Sequence, residues 1–186
     1  MKKIFILLLP LYLTSCVETI AITSFGSAYL ITRTKPVEDS LIDAKISAQL
    51  AKEIKLHKNK ELSNNLYFNV YQGRVLLTGT LNKQNNLTQI SDNIWQIDGV
   101  KELINETSIK GQTKRKIITD YYLASKVKSK FMLKKDIKAF NINVEVYNQN
   151  VYLIGNVTTE NEVKKAAKAA ATVKGVKKVT SFLRKI

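Results

Sequence analysis

Val70-Tyr71-Gln72-Gly73-Arg74-Val75-Leu76-Leu77-Thr78-Gly79 decides the fold, because it returns as Val146-Tyr147-Asn148-Gln149-Asn150-Val151-Tyr152-Leu153-Ile154-Gly155 at an offset of 76 positions. Phe68 and Val70 fall on one side of an extended strand, Gln72-Gly73 supplies a tight turn, and Val75 with Leu77 carries the apolar face back. Gly99-Val100-Lys101 recurs as Gly175-Val176-Lys177 at the same offset. A constant offset without gaps means two copies of one unit. Upstream the offset becomes 77, matching Asp43 to Asp120, Ile46 to Leu123 and Leu50 to Val127. One residue has therefore been gained or lost in the segment leading into the first strand.

Each copy reads as helix, strand, strand, helix, strand. In the first, Ile42, Ile46, Leu50 and Ile54 recur every four residues along one helical face, with Ser40 as the expected N-cap. Leu87, Ile90, Ile94 and Ile97 mark a second helix, Gly99 ends it, and Val100 to Ile104 forms the closing strand. In the second copy, Leu123, Val127 and Phe131 define the first helix, and Ile142, Val144 and Val146 alternate into Val151 and Leu153. Thr159 and Glu162 form a capping box, and Val163, Ala166, Ala167, Ala170 and Val173 line the buried stripe of the last helix. The expected class is α+β: two tandem αββαβ units, each a small three-stranded mixed sheet with two helices packed on one face. The last strand runs parallel to the strand before the crossover.

The N-terminal region has a different character. Met1-Lys2-Lys3 precedes an apolar run from Ile4 to Leu13 that is too short to span a bilayer, which needs about 20 residues. Leu13-Thr14-Ser15-Cys16 follows, and Cys16 is the only cysteine. This pattern resembles the lipobox of bacterial lipoproteins, in which the cysteine is acylated and becomes the new N-terminus; the alternative is a secretory signal beside a coincidental cysteine. Val17, rather than aspartate, follows Cys16, which favours the outer membrane by analogy with enterobacterial lipoproteins. The organisation expected is a signal peptide over 1–15, a lipidated N-terminus and tether over 16–36, a first domain over 37–110, a junction over 111–116 and a second domain over 117–186. For the tether, a short helix packed on the first domain is the other reading.

The segments Val70 to Gly79 and Val173-Lys174-Gly175-Val176-Lys177-Lys178-Val179 resemble the two signature segments of the BON domain family. Two such units behind a lipobox resemble the dual-BON outer-membrane lipoproteins. That resemblance implies a periplasmic, non-enzymatic module that binds phospholipid surfaces and supports envelope integrity, associated with division sites and barrel assembly. One departure stands out. Gln149 occupies the place of the family's turn glycine, so Asn148 or Asn150 is expected to take the left-handed position.

Charge separates the two copies. The chain carries a net charge of +15; residues 111–186 hold 17 Lys or Arg against 5 Asp or Glu, whereas residues 17–110 hold 11 against 10. Lys126, Lys128, Lys130, Lys134, Lys135 and Lys138 surround the first helix of the second copy, and Lys164, Lys165 and Lys168 lie on its second. Lysines near an anionic bilayer contribute about 1 kcal/mol each. The contrast between copies argues against a merely compositional lysine bias, which would act on both.

With Leu123, Val127 and Phe131 turned to the core, Tyr122 stands about 100° away on the helix, beside Lys126, Ser129 and Leu133. An aromatic ring with a wet hydroxyl suits a membrane interface. Tyr122 also occupies the position where the dual-BON lipoproteins carry an aromatic residue on their lipid-facing helix. The candidate lipid-binding residues are Tyr122, Lys126, Lys128, Ser129 and Leu133, and Cys16 is the lipidation site. Coverage of the domain junction by Tyr121 or Tyr122 is the competing reading, and Trp95 is expected to cover the seam between the units.

Little points to catalysis. His57 is the sole histidine and stands in a polar stretch, Gly-rich phosphate loops are absent, and the carboxylates Asp39, Asp43, Glu160 and Glu162 sit where helix starts favour negative charge. No cofactor, metal or nucleic-acid partner is expected, and the chain is not read as an enzyme. The function expected is a lipid-anchored protein on the periplasmic face of the outer membrane whose second domain binds anionic phospholipid. The alternative is an adaptor that docks an acidic partner of the barrel-assembly or division machinery.

Overall fold

The computed structural model describes residues 37–55, 65–81, 84–109 and 117–186. The signal segment, the tether, Cys16, His57 and the junction 111–116 lie outside them.

The first repeat runs α1 (Val37–Leu50, continued by a π-helical turn Ala51–Lys55), β1 (Leu66–Tyr71), β2 (Arg74–Leu81), α2 (Gln84–Trp95) and β3 (Glu102–Ile109). The second runs α3 (Ile117–Met132), a single 3-10 turn Ala139–Asn141, β4 (Ile142–Tyr147), β5 (Asn150–Val157), α4 (Glu160–Ala171) and β6 (Lys178–Lys185). Sheet order is β1-β2-β3 and β4-β5-β6, the first pair of each antiparallel and the second parallel. The chain is thus two tandem α+β units with three-stranded mixed sheets.

On each sheet the helices cover one face. Ile46, Leu50, Ile54, Val75, Leu77, Ile90 and Ile94 make the first core, and Leu123, Val127, Phe131, Val144, Val151 and Leu153 the second. The last helix buries Ala166, Ala169 and Ala170, with Ala167 only half-buried. Small side chains there let α4 approach the sheet closely, and Ala169 rather than Ala167 completes the stripe.

Local chemistry refines several expectations. Ser40 lies inside the first turn of α1, so it is not the N-cap. Asp43 is further from the helix start than a dipole-stabilising residue would be, and its role is different. Its buried carboxylate accepts from the turn amides of Gln72 and Gly73 at 2.7 and 2.8 Å, and Asp120 accepts from those of Asn148 and Gln149 at 3.0 and 2.9 Å. Each first helix is thereby bolted to its hairpin by charge-assisted hydrogen bonds. Thr159 Oγ1 accepts from the Glu162 amide at 3.1 Å, as a capping box requires, but the Glu162 carboxylate reaches the amides of Thr158 and Lys138.

Both hairpins use two consecutive residues at positive φ, Gln72 (+52°) with Gly73 (+77°), and Asn148 (+50°) with Gln149 (+68°). This is the pattern of a type I′ turn. Asn148 takes a left-handed conformation as expected, whereas Asn150 is the first residue of β5. Gln149 takes the other, stabilised by Asp120 at its amide. Gly79 and Gly155 are required for space: a Cβ there would stand 2.1 Å from the Asn65 carbonyl oxygen and 2.0 Å from that of Asn141.

The closing strand of the first repeat starts at Glu102 and continues through Asn105, Glu106, Thr107 and Ser108 to Ile109, in parallel register with β2 from Arg74 to Leu81. These polar residues fit an edge strand, where one side is solvated.

The uncovered sheet faces meet each other. Tyr71, Leu76 and Ile104 of the first repeat form one buried cluster with Tyr147, Tyr152 and Ile154 of the second, flanked by Tyr67 and Phe182. Asn143 donates to Asn69 at 2.9 Å, the Tyr147 hydroxyl lies 3.2 Å from Thr80 Oγ1, and Asn156 donates to Gln72 at 2.5 Å. Glu102 bridges Arg74 (2.6 Å) and Arg184 (2.7 Å), while Arg74 also donates to the Phe182 carbonyl. Trp95 has no place in this seam: α2 packs on the opposite sheet face, and Trp95 is half-exposed.

Candidate functional site

Helix α3 buries Asp120, Leu123, Val127 and Phe131. At 100° per residue the opposite face carries Ile118, Tyr122, Ser125, Lys126, Ser129 and Leu133. These side chains are all exposed, Ile118 and Leu133 almost fully (86% and 85%), and Met132 at the helix end is exposed as well. The Leu133 amide still donates to the Ser129 carbonyl at 3.2 Å, which keeps Leu133 on the same line. The result is a solvent-facing stripe that is apolar at its two ends, Ile118 with Tyr122 and Leu133, and polar between them at Ser125, Lys126 and Ser129.

Lys126 Nζ sits 5.3 Å from the centroid of the Tyr122 ring, within cation–π range. The pair presents one apolar face and one positive charge together. Of the five residues anticipated from sequence, Tyr122, Lys126, Ser129 and Leu133 share this face. Lys128 lies about 120° round the helix, with Tyr121, over a cleft lined also by Tyr67, Phe68 and Asn69 of the first repeat. Tyr121, not Tyr122, is therefore the residue beside the first repeat.

Two parts of the surface were not anticipated. Ile118 and Met132 extend the stripe at both ends; Ile118 could have been found from its spacing of four to Tyr122. Lys130 and Lys134 lie across a groove from Lys165 and Lys168 of α4, with Asp136 among them. Asp136 accepts a hydrogen bond from Lys165, which holds its carboxyl below the ordinary value of 3.8.

The equivalent positions on α1 are Leu41, Lys45, Ala48, Gln49 and Lys52, all exposed and none aromatic. Among the described residues no group of three or more His, Cys, Asp or Glu side chains could hold a metal ion, and no helix is long and apolar enough to cross a membrane.

Residues 38–111 and 119–184 both match the model of the BON domain. The chain belongs to the BON domain family. Over 192 residues it is 29% identical to the outer membrane lipoprotein DolP of Haemophilus influenzae, covering 99% of this chain and 96% of that protein. It is 28% identical over 144 residues to an uncharacterized protein in the gshII 5′ region of Anaplasma centrale, covering 76% of this chain and 93% of the other. A 21 kDa hemolysin of Actinobacillus pleuropneumoniae is 26% identical over 152 residues, with 79% and 74% covered. The chain is thus a dual-BON protein of the DolP-like kind. Within that frame, α3 is the first helix of the second BON repeat, and α1 its counterpart in the first.

Proposed function

We propose that this BON protein is anchored through Cys16 to the periplasmic face of the outer membrane and docks its second repeat on anionic phospholipid, supporting outer-membrane integrity without catalysis. The observation that carries the reading is the outward face of α3. Ile118, Tyr122 and Leu133 are exposed there in a row, with Lys126 stacked on Tyr122. Likeness to the outer membrane lipoprotein DolP supports the compartment.

The energetics suit reversible docking. Each lysine near an anionic surface contributes about 1 kcal/mol, and the exposed apolar side chains add interfacial burial. Acyl chains on Cys16 would keep this face within reach of the bilayer, so a weak intrinsic affinity suffices at high effective concentration.

Vesicle flotation of the full chain carrying Cys16→Ser tests the reading. Binding to phosphatidylglycerol vesicles should exceed binding to phosphatidylcholine vesicles and fall steeply with salt. Tyr122→Ala should weaken it about tenfold, and Lys126→Glu should weaken it more than Lys128→Glu, which lies on the flank. Indifference to phosphatidylglycerol at low salt would remove the lipid reading and leave an acidic protein partner for the same face. In cells, Cys16→Ala should detach the protein from the outer membrane or leave it unprocessed at the inner one, as fractionation would show.

A further inference from the structure

The groove between α3 and α4 differs from its counterpart in a way that α3's stripe does not explain. In the first repeat an overlapping groove, about 460 Å³, is lined by Gln49, Lys52, Glu53, Asn93, Gln96 and Asp98, with Asn93 donating to Glu53; Glu53, Asn93 and Gln96 align with Lys130, Ala169 and Thr172. In the second repeat a groove of nearly the same size, about 450 Å³, is lined by Lys130, Lys134, Lys165 and Lys168 around the single carboxylate of Asp136. Glu53 aligns with Lys130 at the repeat offset, so the charge is reversed at a matching position.

The four ammonium groups are not equivalent. Lys165 is paired with Asp136. Lys130 Nζ lies 2.6 Å from Thr172 Oγ1, whose hydroxyl donates to the Ala169 carbonyl at 2.8 Å. An ammonium has three donors, so Lys130 is held in place by one and keeps two for a ligand. Lys134 and Lys168 make no ion pair among the described residues, although Lys134 acts on Asp136 through space. Four cations thus share one groove with a single carboxylate, an excess of three positive charges, and like charges held together are costly unless an anion joins them.

We propose that this groove binds the phosphomonoester headgroup of a membrane lipid. A phosphomonoester carries about −1.5 to −2 charge and three acceptor oxygens, whereas a phosphodiester headgroup carries one charge. Lysine binds phosphate as a point charge that needs no fixed fork geometry. A lipid is the occupant because exposed Leu133 and Met132 stand beside Lys134 at this end of α3: a headgroup in the groove would leave its acyl chains next to them. The inference rests on the docking reading above and adds a headgroup preference to it.

The test uses the full chain carrying Cys16→Ser and two sets of phosphatidylcholine vesicles, doped with phosphatidylglycerol or with phosphatidic acid and matched in zeta potential. Comparison within one preparation makes any contribution of the N-terminal residues common to both arms. The parent should prefer phosphatidic acid by about tenfold, and Lys134→Gln with Lys168→Gln should bring the ratio close to one. Both substitutions are on exposed residues, and an unchanged circular dichroism spectrum verifies folding. A ratio near one in the parent, or a ratio unchanged in the variant, overturns the groove while leaving phosphatidylglycerol docking intact. Loss of binding to both vesicle sets defeats the docking reading itself. Millimolar inorganic phosphate should weaken the preference, because it occupies the same lysines; if polyglutamate binds the parent more tightly than phosphatidic acid vesicles do and loses that binding in the variant, the ligand is an acidic protein and the lipid assignment fails.

Discussion

The two repeats share their inward chemistry and differ in their outward chemistry. Asp43 and Asp120 clamp equivalent hairpins, Gly79 and Gly155 allow equivalent close approaches, and Leu77 and Leu153 occupy equivalent core positions. On the solvent side, Lys45 faces Tyr122 in the alignment, Gln49 faces Lys126, and Glu53 faces Lys130. Folding fixes only the covered faces of a helix, so duplication leaves the exposed face of one copy free to acquire a binding role. The difference lies on the outward side of each first helix and on the second helix beside it, where Lys164, Lys165 and Lys168 align with Thr88, Gln89 and Asp92.

That contrast can be broken at the scaffold first. Asp43→Ala and Asp120→Ala should each cost about 3 kcal/mol, because two turn amides lose a charged acceptor. Urea unfolding should give nearly equal losses, and a large inequality would show that the two clamps are not equivalent. A graft sharpens it next. In a Tyr122→Ala background, Lys45→Tyr with Gln49→Lys and Glu53→Lys should restore vesicle binding to within about threefold of the parent, through the first repeat. Failure of the graft in a folded protein would mean that the outward face of α3 is insufficient alone.

Smaller effects distinguish the hairpins and the seam. Gln149→Gly should stabilise the second hairpin by about 1 kcal/mol, since an L side chain at positive φ is strained, and thermal melting would register it. Tyr152 is pushed above its ordinary value of 10.0 chiefly by burial, and then by Glu106 and Tyr147. A raised value means that the folded state holds the proton more tightly, so this contribution is complete below pH 10 and lost as pH climbs through the folded value. The parent's melting temperature should therefore fall more steeply than that of Tyr152→Phe between about pH 9 and 12.

Much of this architecture was legible because the repeat fixes the hairpins and alternation marks the helix-covered face. Phe68, Val70, Val75 and Leu77 lie where period two puts them. The seam was not legible by the same rule. Tyr71, Leu76, Tyr147, Tyr152 and Ile154 have the opposite parity, and reading each sheet as covered on one side leaves them unassigned. Their signal was the unbroken apolar runs Val75-Leu76-Leu77 and Val151 to Ile154, the mark of strands buried on both faces. Ala169 was missed because alanine weighs little in a periodicity count. The position of Lys128 was missed because a cluster of lysines in sequence spreads round a helix in space. The inter-helix groove needed the packing of α3 against α4, which spacing along one helix does not contain.

Back-to-back packing of the sheets has a further consequence. The two helical layers lie on opposite outer sides of the molecule, about 30 Å apart if each layer adds about 10 Å. A protein lying on a bilayer through α3 would hold α1 and α2 away from it, facing solvent. Half-exposed Trp95 and the mixed-charge groove of the first repeat would then ride at a fixed height above the lipid, and anything that grips them would be held at that same height.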